Sequence, residues 1–346
     1  MAAKIKCVVW DLDNTVWDGI LIEDSNVKIK SEVVEVIKTL DSRGILQSIS
    51  SRNDYETVME KLKEFSLDEY FLYPQISWNP KSEGIKRIQE LLNIGIDTFA
   101  FVDDQVFERD EVKYKIPEIV CFDVTDVKTF LKQEIFNPSY ITSDSKNRRL
   151  LYQNDIKRNN IKEVFEGTEE EFLRLLDMKF IIDRVHEDDL ARAEELTVRT
   201  HQLNATGCTY SYEELDKCSK DNNYSVLISQ LKDKYGDYGK IGLALIEKKE
   251  TQWILKLLLM SCRVMSRGVG AVMLNFIAKK AKDSNVELLA EFVPTNRNRV
   301  MYITYKFAGF YKVDQRENVE ILKADFNKLG ELPDYIQLME GEDLNV

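Results

Sequence analysis

An apolar run, Cys7-Val8-Val9-Trp10, ends in Asp11-Leu12-Asp13-Asn14-Thr15: two aspartates one residue apart, then a hydroxyl. Residues i and i+2 of a strand point to the same side, so both carboxylates leave the strand end together. A short, wholly apolar run of this kind reads as a buried strand of a parallel sheet. Open α/β sheets bind their ligands just beyond the carboxyl ends of such strands. Paired acids at that place make a site for a cation and a phosphate, and they commit the first part of the chain to an α/β layer fold.

At 346 residues the chain exceeds one typical core, so two domains joined by a helical connector are expected. The formal charge of −12 excludes non-specific binding to nucleic acid or to an anionic membrane. An anionic substrate must therefore meet a local positive patch or a metal ion. The cysteines (Cys7, Cys121, Cys208, Cys218 and Cys262) are scattered, with no CxxC pair, which predicts reduced thiols and no zinc site. The opening Met-Ala-Ala-Lys-Ile-Lys-Cys lacks the apolar core of a signal peptide. The apolar run Trp253–Met260 is too short to span a bilayer and contains Lys256. A cytoplasmic protein without membrane association is expected.

Strand and helix patterns alternate through the first part. Ile5–Trp10, Ile45–Ser50, Thr98–Val102 and Ile119–Phe122 read as strands. Ser31–Ser42, Asp54–Phe65 and Ser82–Leu92 read as helices, the first with Val33, Val36, Ile37 and Leu40 on one face and Gly44 as its stop. This alternation predicts a parallel sheet covered by helices, spanning 1–136. The stretch between Thr15 and the first helix is too short for a large lid, so the cleft is expected to be open. Residues 137–176 read as a polar connector, with a solvated helix near Asn147–Asn159. From 177 to 346 the patterns describe a mixed α/β domain around an antiparallel sheet. Tyr224–Lys232 and Lys240–Glu247 flank Gly236-Asp237-Tyr238-Gly239, a hairpin-turn signature.

Further polar groups arrive at the strand ends of the first part. Ser51, Arg52 and Asn53 follow the second strand, Lys81 precedes a helix, and Asp103-Asp104 follow Phe99–Val102. With Asp11 and Asp13, this order resembles the four motifs of the haloacid dehalogenase-like (HAD) phosphatase superfamily, and implies a HAD-like Rossmannoid sheet with a minimal cap. The resemblance makes Asp11 the nucleophile and Asp13 the acid that protonates the leaving oxygen, then activates water. Ser51, Arg52, Asn53 and Lys81 become phosphate-binding groups. Asp11, Asp103, Asp104 and the backbone carbonyl of Asp13 become the oxygen ligands of Mg²⁺. Each residue type suits phosphoryl transfer: oxygen donors hold a hard cation, and a compact lysine neutralises nucleophile and phosphate together. Arg109 has two open readings, a substrate contact and a surface charge.

Arg267-Gly268-Val269-Gly270-Ala271 precedes a helix, with Asn296 and Tyr305…Gly309-Phe310 downstream. This stretch resembles the pyrophosphate-binding region of the GNAT acetyltransferase fold, where helix-start N–H groups hold a phosphate of coenzyme A. Val272 stands where relatives carry Gly or Ala. A pantetheine arm carried by a protein, or coenzyme A itself, is the implied ligand of Gly268 and Gly270. Cys262 lies between Met260-Ser261 and Arg263. Arg263, Arg267 and the helix start would lower its pKa if they reach the sulfur.

Taken with Arg148-Arg149-Leu-Leu-Tyr152, Glu171-Phe-Leu173, Arg199-Thr-His-Gln-Leu-Asn-Ala-Thr206 and Ser261-Cys-Arg263, the chain resembles the FkbH-like glyceryl transferase/phosphatases. That resemblance implies a small three-carbon substrate, 1,3-bisphosphoglycerate, a thioester on Cys262, and delivery to an acyl carrier protein. It places His201, Gln202 and Asn204 around the polar acyl unit, His201 replacing an Asn of relatives. Carrier proteins are acidic, so a basic docking patch is expected, with Lys279, Lys280, Arg297 and Arg299 as candidates. Two alternatives stand beside this one: a phosphatase fused to a coenzyme A-dependent N-acetyltransferase, and a phosphatase with a non-catalytic carrier-binding domain.

Overall fold

Period-two and period-3.6 apolar patterns alternate up to about residue 130, and the computed structural model carries them as alternating strands and helices. It describes residues 4–24, 26–138, 140–200, 202–341 and Leu344. The chain divides into two compact units, 1–153 and 154–346. Among the described residues, no helix is long and apolar enough to cross a membrane.

In the first unit β1 (Cys7–Trp10) is followed by the two-residue strands β2 (Trp17–Asp18) and β3 (Lys28–Ile29). Then come α1 (Ser31–Ser42), β4 (Leu46–Ser51), α2 (Tyr55–Glu64), β5 (Gln75–Ile76), α3 (Lys81–Leu92) and β6 (Phe99–Asp103). The unit continues with α4 (Val106–Lys115), β7 (Val120–Asp123), α5 (Val127–Phe130) and α6 (Ser143–Lys146). The sheet order is β5-β4-β1-β6-β7, and every pairing is parallel. All four β1 residues are fully buried, as a central strand covered on both faces requires. On α1, Val33, Val36, Ile37 and Leu40 face inward as the periodicity predicts. β2 and β3 form a separate two-stranded antiparallel ladder that pairs Trp17 with Ile29. At Gly84 an added Cβ would lie 2.6 Å from Ser50 Oγ, so α3 approaches β4 more closely than any side chain permits.

Helix α7 (Arg148–Glu163) spans the division between the units. The solvated helix expected here is corrected: Arg148 and Leu151 are buried, and Arg158 has no exposure at all. Within the second unit, Arg158 donates Nε to Asp233 Oδ2 at 2.7 Å and Nη2 to Asp233 Oδ1 at 2.9 Å. Its guanidinium lies 3.7 Å from the centroid of the Tyr238 ring. A buried arginine is retained only when its donors are satisfied in this way.

The second unit continues with α8 (Glu169–Leu175), β8 (Met178–Arg184), α9 (Glu187–Arg199) and α10 (Tyr212–Lys220). Next are β9 (Tyr224–Asp233), β10 (Gly236–Lys248), β11 (Gln252–Met260), α11 (Val269–Asp283) and β12 (Glu287–Phe292). The last elements are α12 (Arg299–Phe307), β13 (Phe310–Arg316), β14 (Val319–Ala324) and β15 (Ile336–Glu340). The sheet order is β13-β14-β12-β11-β10-β9-β8-β15, parallel at β11–β12 and β8–β15 and antiparallel elsewhere. Leu243, Leu245, Leu257 and Leu259 face α9 and α10, while Ala244, Ile246, Leu255 and Leu258 face α11. The alternation of strand side chains thus builds two cores, one on each face. One turn differs from expectation. Gly236 and Gly239 lie inside β10, Gly239 at a register shift, and the reversal itself falls at Lys234-Tyr235, because β9 and β10 run further than the alternation indicated.

β11 and β12 pair only over Gln252–Leu255 and Glu287–Ala290. Beyond that they separate, and Leu203–Ala205 lies between them. Met260 N–H donates to Leu203 O, Ala205 N–H to Leu258 O, and Val293 N–H to Ala205 O, at 2.9, 2.9 and 3.0 Å. The backbone groups exposed by the divergence are satisfied by this inserted segment.

Candidate functional site

The carboxyl edge of the first sheet gathers side chains from three strand ends and one helix start. β1 delivers Asp11, which is 3% exposed, and β6 delivers Asp103, fully buried. Lys81 opens α3 and is 4% exposed. Its Nζ stands 2.8 Å from Asp11 Oδ1 and 2.7 Å from Asp103 Oδ2. Ser50 Oγ donates to the Lys81 carbonyl at 3.0 Å and fixes the helix start. Thr15 Oγ1 lies 3.4 Å from Asp11 Oδ2 and receives the Asp104 N–H at 3.2 Å, tying the loop after β1 to the end of β6.

Each of Asp11, Asp103 and Asp104 offers a carboxylate oxygen, and these atoms lie within 4.8 Å of one another. An oxygen-only set of three carboxylates fits a hard divalent cation such as Mg²⁺. The Asp13 carboxylate is turned elsewhere. Its Oδ1 accepts from Trp17 Nε1 at 2.8 Å and Leu21 N at 3.0 Å, and its Oδ2 accepts from Asn53 Nδ2 at 3.0 Å. Burial raises the Asp13 pKa against the two donors on Oδ1. Burial, then the Asp11 charge, pushes Asp103 up to about 6, and the same two causes raise Asp104. Burial works hardest against the Lys81 cation, but Asp11 and Asp103 together outweigh it and hold its pKa above the ordinary value.

Ser51 ends β4 and is buried. Arg52 is half-exposed and pairs with Glu108 at 3.2 Å. Arg109 donates to the Asp103 carbonyl at 2.7 Å and pairs with Asp123 at 2.8 Å, so it clamps β6 to β7.

In the second unit Cys262 is half-buried and opens a 3-10 turn, Cys262–Val264, directly after β11. Arg263 and Arg267 direct charge toward Asp155 of α7, where with Arg158 they oppose the burial that raises that carboxyl. Asp155 is a partner of these two arginines that sequence proximity could not reveal. Gly268 takes φ +76° at the N-cap of α11, a conformation that favours glycine. A cavity of about 140 Å³ lies there, lined by Gly268, Gly270, Met260, Thr304 and Phe307 and closed by Leu203. Its helix start fits a phosphate and its apolar walls fit part of a pantetheine arm, while the inserted segment fills the gap between β11 and β12.

The Asn204 side chain is bonded into its own loop. It is 1% exposed, its Oδ1 accepts from Thr206 N and Gly207 N, and its Nδ2 lies 3.4 Å from Thr200 O and 3.3 Å from Cys208 O. Its side chain shapes the loop, a use that a motif reading cannot separate from binding. Gln202 is half-buried, and its Oε1 has no partner among the described residues. His201 lies outside the described residues. Lys280 of the expected basic patch is paired with Glu340 at 2.7 Å. Thr15, Trp17, Ser50 and Glu108 were not among the expected site residues. Thr15 closes the opening motif, but the others carry no local signal, since their roles depend on partners distant in sequence.

No family model and no curated protein matches this chain. Solved structures do resemble parts of it. The N-terminal part of a Bacteroides fragilis protein, containing a phosphatase domain and complexed with Mg, is 28% identical over 37% of this chain and 39% of its own, with TM-score 0.34. The ribosomal-protein-S18-alanine N-acetyltransferase of Escherichia coli is 16% identical over 48% of this chain and 99% of its own, TM-score 0.35. A HAD-superfamily hydrolase from Ehrlichia chaffeensis is 15% identical over 38% and 98%, TM-score 0.32. The chain thus spans well under half of the Bacteroides fragilis chain. The strand orders of this protein describe an α/β unit on a five-stranded parallel sheet followed by an α/β unit on an eight-stranded mixed sheet.

Proposed function

We propose that the first unit is a Mg²⁺-dependent phosphomonoesterase. The observation that supports it most is the Lys81 ammonium held between Asp11 and Asp103, with Asp104 completing an oxygen cluster at the sheet edge. Asp11 attacks phosphorus, the P–O bond to the leaving alcohol breaks, and Asp13 supplies the alcohol's proton. Asp13 then takes a proton from water, which attacks the aspartyl phosphate and frees inorganic phosphate and Asp11. Acid–base assistance of this kind contributes about 10²–10⁴-fold. Lys81 balances the charge on Asp11 and the phosphoryl oxygens, and Ser51 donates to them. Asp11, Asp103 and Asp104 would hold Mg²⁺, which would supply further charge neutralisation.

The second unit is read as an acyltransferase. The Cys262 thiolate attacks the carbonyl carbon of an acyl phosphate, the C–O bond to phosphate breaks and inorganic phosphate leaves. The thiol of a carrier-borne pantetheine, whose phosphate the start of α11 receives, then attacks the thioester, releasing the Cys262 sulfur and giving up its proton to it. In the finer form of this reading, the acyl group is glyceryl, its donor is 1,3-bisphosphoglycerate and its acceptor an acyl carrier protein. The α11 cavity also favours a second reading, coenzyme A-dependent acetyl transfer.

Intact-mass analysis with 1,3-bisphosphoglycerate and carrier protein tests both activities. The expected result is a glyceryl adduct absent from Cys262→Ala, and Mg²⁺-dependent phosphate release lost in Asp11→Asn. A Cys262→Ala protein that still charges the carrier overturns the thioester. Acetyl-CoA binding and acetyl transfer indifferent to Cys262→Ala select the second reading.

A further inference from the structure

β11 and β12 part after Leu255 and Ala290. A cleft between parting strands offers backbone donors and acceptors to any extended chain that carries amides. In this protein the cleft is filled from within. Asn204 bridges Leu259 in the antiparallel sense, and its neighbours bond to both strands. Leu203 O and Ala205 N–H serve β11, while Ala205 O accepts from Val293, the residue after β12. Leu203 is 6% exposed and Ala205 is fully buried, and both belong to the core on the α11 face. Asn298, itself 1% exposed, latches the segment. Its Nδ2 donates to Val293 O at 2.9 Å and to Asn204 O at 3.1 Å, with Ala205 O at 3.4 Å. Its Oδ1 accepts from Thr295 N at 2.9 Å, which fixes the orientation of the amide.

A pantetheine arm is an extended chain with amide groups along it. The cavity at the start of α11 has mainly apolar walls, so those amides would need backbone partners at Leu258, Met260 and Val293. Each of these already bonds the 203–205 segment. Exchanging one set of backbone hydrogen bonds for another gains little, whereas displacing the segment strips two core residues and leaves the Asn298 amide unpaired. We propose that residues 203–205, latched by Asn298, are a permanent filler of the cleft and set what the second unit can bind. An arm seated at the start of α11 is barred from between β11 and β12. It is turned instead along Val264 and Met265, the cavity wall that follows Cys262. The inference rests on the pantetheine reading of the α11 cavity and makes Asn298 a specificity-determining residue of that site.

Amide hydrogen exchange followed by NMR on the full chain, with 4′-phosphopantetheine as the probe, tests it. In the native protein the probe is expected to slow the amides at the start of α11 and to leave the Ala205 and Met260 amides unchanged. Faster exchange at Ala205 on adding the probe shows that the arm displaces the segment, and overturns the proposal. Asn298→Asp keeps the contact with Thr295 and removes only the donor. It should speed Ala205 exchange by about tenfold or more. By opening the cleft it should also tighten calorimetric binding of the probe by about fivefold, the order that one net hydrogen bond supplies. An unchanged Ala205 rate, or an unchanged affinity, in this variant overturns the proposal. Should Asn298→Asp not fold, the native measurement decides alone. A probe that neither binds nor alters any amide counts against the pantetheine reading of the cavity, while the Ala205 rate in Asn298→Asp still decides the latch.

Discussion

Asp13 accepts three hydrogen bonds, from Trp17, Leu21 and Asn53, while burial raises its pKa. Donors favour the ionised form and burial favours the protonated form, so the balance between them sets where this acid titrates. Trp17 Nε1 is the donor that can be deleted while an aromatic ring remains packed beside Phe65. Trp17→Phe is expected to raise the Asp13 pKa further. Because the leaving group needs the protonated acid, the alkaline limb of the kcat/KM profile should move to higher pH. A pH–rate profile on a phosphate monoester checks this, and a limb that stays put or moves to lower pH removes Asp13 from the acid role.

Helix α7 shows why an element's exposure cannot be judged from its composition. Its sequence, Arg-Arg-Leu-Leu-Tyr-Gln-Asn-Asp-Ile-Lys-Arg-Asn-Asn-Ile-Lys-Glu, is dominated by polar residues. Even so, Arg158 is fully buried against Asp233, which is itself unexposed, and against the Tyr238 ring. Removing one member of a buried ion pair strands the other, at about 3–5 kcal/mol. Arg158→Met should destabilise the second unit by about that amount in urea denaturation, and adding Asp233→Asn should return part of the loss. A cost below about 1 kcal/mol would mean that Asp233 is not left stranded when Arg158 is removed, against this account.

For the molecule as a whole, the acidic edge of the first sheet couples stability to pH and to metal. Asp103 holds its proton to about pH 6 in the folded chain against an ordinary value of 3.8, through burial and the Asp11 charge. A raised carboxyl contributes stability below its unfolded pKa and loses it as pH climbs through the folded one. The metal-free protein should therefore lose stability between those two values, with little further change from this group above them. Mg²⁺ needs the ionised carboxylate, so the rise in Tm that it produces should be small near pH 5 and full by about pH 7. Thermal melts with Mg²⁺ or a chelator across that range measure it, and a Mg²⁺ effect independent of pH contradicts the linkage.

Much of this architecture was legible before any coordinates. Apolar periodicity placed β1, β4, β6 and β7 and the helices α1, α2 and α3 within a residue or two, and it set the inward face of α1. It missed β5, which is only two residues long, α4, whose charged first turns hide the helix, and the four-residue helices α5 and α6, too short to show a period. Local pattern also located the acids, because a strand end and an i, i+2 spacing are properties of neighbouring residues. Partners are a different matter. Lys81 meets Asp103 across 22 positions and Arg158 meets Asp233 across 75. Arg263 and Arg267 act on Asp155, more than a hundred positions earlier, and Asn204 bonds its side chain into its own loop. Backbone propensity and side-chain spacing act over a few residues, so they are written along the chain. Which charges come together, and which are buried, follows from how distant segments pack, and packing belongs to the folded chain alone.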